Sequence, residues 1–171
     1  IFITNTNANN KTQIIENLEK TTNLSFEFEQ NINGKIENGS CIIEYPKKIF
    51  CKYLKNNDKV LVSNGKSLVI KTTTSFYRYP LQKTPLNLIL DKKYLIKKIS
   101  NLKAKIIDQS FINYTIIENN NEINVFFDNK TFDLIGWQTK DIYQNQSITL
   151  LSSIQINQKI SNNVFKLPLQ N

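Results

Sequence analysis

Histidine is absent from this chain of 171 residues, and with it the commonest general base and the commonest metal ligand. No Ser/His or Cys/His dyad can therefore be built, and no GxSxG nucleophile elbow is present. Two cysteines and scattered carboxylates make a poor zinc set, so no metal is expected. Glycine and proline number four each, which leaves no Gly-rich phosphate loop and no Pro-rich linker. No apolar run approaches the roughly 18 residues of a membrane-spanning helix. Arginine is almost missing too: of 22 basic residues only Arg78 is one. The lysines are dispersed, in pairs such as Lys47-Lys48, Lys92-Lys93 and Lys97-Lys98. A nucleic-acid reader concentrates its cations and uses arginine for bidentate contacts. The net charge of +8 is thus read as a Lys-, Asn- and Ile-rich composition of the AT-rich-codon kind, not as the mark of a nucleic-acid partner. A hydrophobic share of 40% excludes wholesale disorder, and the length suits one sizeable core.

The carboxylates suggest no catalysis either. Glu27 and Glu29 fall on one face of a strand whose other face is apolar, so both belong to solvent. Asp128 and Asp133 flank a turn, an ordinary place for aspartate. The expectation is a protein that is not an enzyme and needs no cofactor.

The first ten residues, "IFITNTNANN", begin apolar and turn polar, with Thr6 and Ala8 in small-x-small spacing. They read either as the tail of a secretory signal cut after Ala8 or as a frayed terminus, with one domain over residues 11–171. In "KTQIIENLEKTTN", Ile14, Ile15 and Leu18 share one side of an amphipathic helix. The period then drops to two: Leu24, Phe26 and Phe28 alternate with Ser25, Glu27 and Glu29. A turn at Asn33-Gly34 leads into a strand ending at Tyr45, and "KIFCKYL" resumes extended structure after a turn at Pro46. "KVLVSNGKSLVIK" is a hairpin through Ser63-Asn64-Gly65. Thr84 and Pro85 supply an N-cap and a first helical residue for "LNLIL", a helix continuing brokenly to Ser100. Strands return in "AKIID", "FINYTIIENNNEINVFFD", "FDLIGWQTKDI" and "SITLLSSIQIN".

About ten strands joined by short turns favour an antiparallel meander. The predicted fold is mainly β: a strongly curved antiparallel sheet or open half-barrel, with short helices across its mouth. Its inner face would carry Leu24, Phe26, Phe28, Ile43, Tyr45, Ile49, Cys51 and Tyr53, then Leu68, Ile70 and Trp137. The helices would add Leu86, Ile89 and Leu90. Two readings stay open at this point: an ordinary dry core, or a pocket for an acyl chain.

Several stretches together resemble the LolA family of periplasmic lipoprotein carriers. These are Phe28-Glu29-Gln30, Tyr45-Pro46 through Tyr53, Ser63-Asn64-Gly65-Lys66 with "SLVIK", Thr84-Pro85-Leu86 through Leu90, Ile135-Gly136-Trp137, and "NNVFKLPL". The resemblance runs in order over residues 11–168. It implies a half-barrel with a helical lid and a hydrophobic cavity for the acyl chains of lipoproteins. It also implies a monomer in the periplasm of a Gram-negative cell, peripheral at most to the membrane. Such a carrier takes triacylated lipoproteins from an inner-membrane ABC-type extractor and hands them to an outer-membrane acceptor lipoprotein. The acceptor, a lipid-sensing regulatory domain and a small-lipid binder are rivals of similar fold. An acceptor would have a lipidated cysteine at its start, whereas the two cysteines here are Cys41 and Cys51. Some carriers also extend into a further strand and helix, which are not expected here after Pro168.

One departure concerns the residue before Pro46. The family commonly has an arginine there that hydrogen-bonds the lid shut, and here the position is Tyr45. Tyr45 is therefore the lid-latch candidate, a weaker one because a phenol brings no charge. Cys41 and Cys51 lie on the two strands flanking that turn. An odd-length loop sets them opposite one another and an even one separates them. The resemblance places Tyr45, Ile49 and Cys51 inward, which supports the odd case. The pair is then a disulfide in an oxidising compartment, or two buried thiols.

Overall fold

A computed structural model describes residues 6–140 and 144–171, with the backbone alone for residues 6–8. Fifteen residues of amphipathic helix come first, α1 (Thr6–Lys20). It starts before Lys11, so residues 6–10 are helical; residues 1–5, on which most of the leader expectation falls, lie outside the described residues.

Among the described residues eleven strands follow in one sheet, every neighbouring pair antiparallel. The first arm comprises β1 (Asn23–Ile32), β2 (Lys35–Glu44), β3 (Lys48–Tyr53), β4 (Val60–Asn64), β5 (Ser67–Lys71) and β6 (Phe76–Pro80). After the lid come β7 (Lys105–Ile107), β8 (Phe111–Glu118), β9 (Asn121–Asp128), β10 (Leu134–Lys140) and β11 (Gln146–Ile156). The chain thus builds two meanders that meet where β11 pairs with β1. The sheet is strongly curved but not closed, with β6 and β7 as its edges. Two bulges help it curl. One lies opposite Phe26, where the register jumps from Ser25↔Gln155 to Glu27↔Ser152. The other lies at Ile135, between Leu134↔Phe127 and Gly136↔Phe126.

The strand count exceeds the expectation by one. β6, "FYRYP", carries Arg78 and ends on Pro80, features that weaken a strand signal yet are tolerated at a sheet edge. The end of "FDLIGWQTKDI" passes into residues 141–143, outside the described residues.

The lid is in three pieces. A 3-10 turn at Leu81–Lys83 leaves β6, followed by α2 (Leu86–Leu90) and α3 (Lys92–Ser100). Thr84 does not cap α2 with its side chain. Its hydroxyl closes the preceding turn on the Leu81 carbonyl at 2.7 Å, and Pro85 takes the N-cap position. Asp91 breaks the helix and caps the next, accepting from the Tyr94 amide at 3.1 Å. The helices pack against part of the concave face: Ile14 and Leu18 from α1, Leu88, Ile89 and Leu90 from α2, and Leu95 and Ile99 from α3 are all buried in one core. Each such side chain contributes about 1.5–3 kcal/mol of burial, which holds a five-residue helix that could not persist alone.

Residues 157–171 run along the convex side. Asn157 and Gln158 bond Asn23, Phe165 is buried beneath Lys48, and Lys71 reaches the Leu169 carbonyl. This strap lies along the arm where Val62 and Val69, on the outer face of β4 and β5, are buried.

Candidate lipid-binding cavity

The helices do not fill the whole trough. A cavity of about 530 Å³ remains on the concave side, within the size range of small-molecule sites. Its walls are apolar: Phe28 from β1, Ile49, Cys51 and Tyr53 from β3, Leu68 and Ile70 from β5, Trp137 from β10, and Leu86 at the start of α2. Period-two alternation aims each of these strand residues inward. Phe28 and Tyr53 meet edge to face, with ring centroids 4.9 Å apart. Gly39 lies between them in the register and leaves the space this needs. A Cβ there would come within 2.8 Å of the Phe28 ring and 2.2 Å of the Lys52 carbonyl oxygen.

Six of the residues expected in the cavity lie elsewhere. Leu24, Phe26 and Ile43 face the trough but are sealed in the dry core beneath the lid, together with Ile89 and Leu90 of the lid itself. The reason is steric: α1 and α2 occupy the lid end of the trough and leave the other end open. Tyr45 borders a separate crevice of only about 20 Å³ beside Leu18 and Leu24.

The latch also differs from the expectation. The Tyr45 hydroxyl has no hydrogen bond among the described residues, and burial pushes its pKa upward, so it stays neutral. Its ring lies 5.3 Å from Lys92 Nζ at the start of α3. Partial burial lowers the Lys92 pKa, with Glu19 opposing, and the ammonium donates to the Thr21 carbonyl at 2.7 Å. The lid is fastened two residues further on. The Lys47 amide donates to the Leu90 carbonyl at 2.8 Å, and Lys47 Nζ stands 3.6 Å from Asp91 Oδ2. Spacing alone did not single out Lys47, because a lysine after a proline reads as turn surface.

Cys41 and Cys51 are directly opposed in the β2–β3 register, their Cα atoms 4.1 Å apart, and are joined as a disulfide on the cavity wall. The odd-loop geometry holds, and the structure contains the bond rather than two thiols.

Sequence reasoning missed the polar end of the cavity. Tyr53 donates to Gln30 Oε1 at 3.2 Å, and Gln30 Nε2 donates to Thr149 Oγ1 at 2.9 Å. Lys59 closes this end, with Nζ 3.0 Å from the buried Glu37 carboxylate and 4.2 Å from the Tyr53 ring centroid. Burial, with the Glu37 charge adding, raises the Tyr53 pKa. The one available signal was parity, which turns Gln30, Thr139, Ser147 and Thr149 inward as surely as it turns Phe28. A groove of comparable size on the convex side carries Glu27 and Glu29 and a more polar lining, as the alternation in β1 requires.

An unclosed antiparallel half-barrel, with a helical lid over an apolar cavity, defines a class of hydrophobic-ligand-binding fold. The sequence matches the family described as outer membrane lipoprotein carrier protein LolA over residues 19–168, and the chain belongs to that family. No curated protein matches it in sequence. Among solved structures, a conserved protein from Thermus thermophilus is similar at a TM-score of 0.55 and 6% identity, covering 94% of each chain. The MucB structure is similar at 0.53 and 7%, covering 97% of this chain and 64% of MucB. The Pseudomonas aeruginosa MucA/MucB complex is similar at 0.52 and 8%, covering 94% and 60%. At such identities the likeness is one of fold.

Proposed function

We propose that this chain is a periplasmic chaperone that shields the acyl chains of lipoproteins and ferries them from the inner to the outer membrane. The observation that carries this reading is the cavity: about 530 Å³ of apolar space beneath a lid, in a chain of the lipoprotein-carrier family. At roughly 30 Å³ per water-sized group, that volume holds on the order of fifteen to twenty methylenes, about one acyl chain. Each methylene removed from water contributes about 0.8 kcal/mol, so one chain supplies on the order of 10 kcal/mol of holding free energy. Three chains need more room than the closed state offers. A triacylated cargo therefore requires the lid to withdraw, and the core beneath it, Leu24, Phe26 and Ile43 included, is already apolar.

Loading and unloading fall to partners, an inner-membrane ABC-type extractor and an outer-membrane acceptor lipoprotein, and the chain acts without catalysis or cofactor. The disulfide suits an oxidising compartment. The test is a release assay. Inner membranes bearing a labelled triacylated lipoprotein and the extractor are incubated with ATP and the purified chain. The expected product is a soluble one-to-one complex of chain and lipoprotein. Cargo that stays with the membrane at every concentration of the chain would overturn the proposal.

A further inference from the structure

We propose that three cavity hydroxyls, those of Thr139, Ser147 and Thr149, receive the ester or amide carbonyl that ends an acyl chain, and so fix which way the chain lies. This rests on the reading that the cavity holds acyl chains, and adds what it recognises at the head of one. The strand register places these residues together. Across β1, β11 and β10, Gln30, Thr149 and Trp137 form one row, and Ile32, Ser147 and Thr139 form the next. All six line the cavity, toward the Asn33-Gly34 turn and away from the lid clasp at Lys47. One row nearer the lid, the pair is Phe28 and Leu151. The wall thus changes from polar to apolar within two residues of strand, about 7 Å.

Ser147 and Thr149 are buried, at 9% and 3% exposure. Thr149 Oγ1 accepts from Gln30 Nε2 at 2.9 Å, and its own proton has no acceptor among the described residues. The hydroxyls of Ser147 and Thr139 have no hydrogen-bond partner among those residues at all. A buried hydroxyl left so carries a desolvation cost that a bound partner removes. The groups on offer are donors: three hydroxyl protons and the second amide proton of Gln30, whose Oε1 already accepts from Tyr53 at 3.2 Å. No carboxylate lines the cavity to meet a ligand's donor, and the Lys59 ammonium is held by Glu37 at 3.0 Å. The matching group is therefore an acceptor with no proton to give, which describes an ester or amide carbonyl. A carbonyl placed here sends its chain lidward past Phe28 and Trp137, whose ring meets Phe26 edge to face, toward Leu86. The polar remainder of the molecule then leaves at the end away from the lid clasp.

The test compares monododecanoylglycerol with monododecyl glyceryl ether, equal in chain and head and different only in the carbonyl, by titration. The ester is expected to bind about three- to tenfold more tightly, the net yield of one hydrogen bond. The advantage should fall in Ser147→Ala/Thr139→Val, which breaks no side-chain hydrogen bond among the described residues, and vanish once Thr149→Val is added. The ether should bind these variants no more weakly than the native chain. With a carbon-13-labelled ester carbonyl, the infrared stretch should lie lower on the native chain than on the variants, a shift that a merely structural role would not produce. Equal affinity for ester and ether, an advantage undiminished in the variants, or an unshifted carbonyl would overturn this inference and leave the cavity reading intact. If neither ligand binds, the cavity reading falls and this inference with it. Two further pairs identify the source of the carbonyl. Preference for a diacylglyceryl lipopeptide over its diether analogue assigns a lipoprotein. Extraction of diester over diether phosphatidylcholine from vesicles assigns a free phospholipid. Preference in neither pair counts against the inference.

Discussion

Breaking the Cys41–Cys51 bond has an effect that can be worked out in advance. The link closes a loop of sequence separation 10 between two directly opposed strand residues. In the chain-entropy model a loop of that size removes about 9 cal/mol/K from the unfolded ensemble, or roughly 2.7 kcal/mol at 25 °C. At about 2.1 cal/mol/K per residue, the chain of 171 residues has an unfolding entropy near 0.36 kcal/mol/K at its midpoint. The midpoint should therefore fall by about 7 °C when the bond is absent. The assay is thermal denaturation followed by circular dichroism, comparing oxidised protein with protein refolded in reductant, and with Cys41→Ser/Cys51→Ser as a second route. Both cysteines are buried, so serine adds a desolvation cost and should give the larger drop. A midpoint lowered by less than about 2 °C in the reduced protein would refute the reasoning. It would mean that the β2–β3 hairpin is already closed in the unfolded chain, so the bond constrains nothing.

The lid, the cavity and one turn give three further predictions. Asp91→Ala should lose both the α3 cap and the contact to Lys47, costing about 1–1.5 kcal/mol, whereas Asp91→Asn keeps an acceptor and should cost under about 0.5 kcal/mol. Hydrogen exchange should quicken at the Lys47 amide in the alanine variant, and equal losses in the two variants would show that the charge, not the cap, matters. Leu68→Trp places an indole in the cavity, so acyl binding by titration should drop at least tenfold while the denaturation midpoint moves by only a few degrees. Asp128 accepts from the Lys130 and Thr131 amides, and these bonds hold its pKa below the ordinary 3.8. Its stabilisation is therefore full above that ordinary value and is lost as pH falls through the depressed one. Asp128→Asn should flatten the acid limb of the stability profile in that window.

The curved sheet was legible because two-residue alternation survives in Leu24, Phe26 and Phe28 against Glu27 and Glu29, and in the matched runs around Asn64-Gly65. Parity also allowed Cys41 to be set against Cys51. The lid's seating was not legible. "LNLIL" is apolar at four of five positions, so it carries no period and gives no sign of which half of the trough it will plug. Leu24, Phe26 and Ile43 are inward by pattern yet sealed in a core that includes helix residues some forty to sixty positions further on in the chain, which no local rule reaches. The polar end escaped for a different reason. Gln30, Thr139, Ser147 and Thr149 share the inward parity of Phe28, yet single polar residues in a strand read as solvent-facing until the sheet curls around them.

The chain's single tryptophan, Trp137, lies in the cavity wall and reports directly on what enters. A lipopeptide or fatty acid with bromine near the tail end of its chain should quench Trp137 emission on binding, and the same ligand should leave emission unchanged when Leu68→Trp blocks entry, once the added indole is corrected for. Saturable binding of the brominated chain with no quenching of Trp137 would place the acyl group outside the half-barrel and contradict the account.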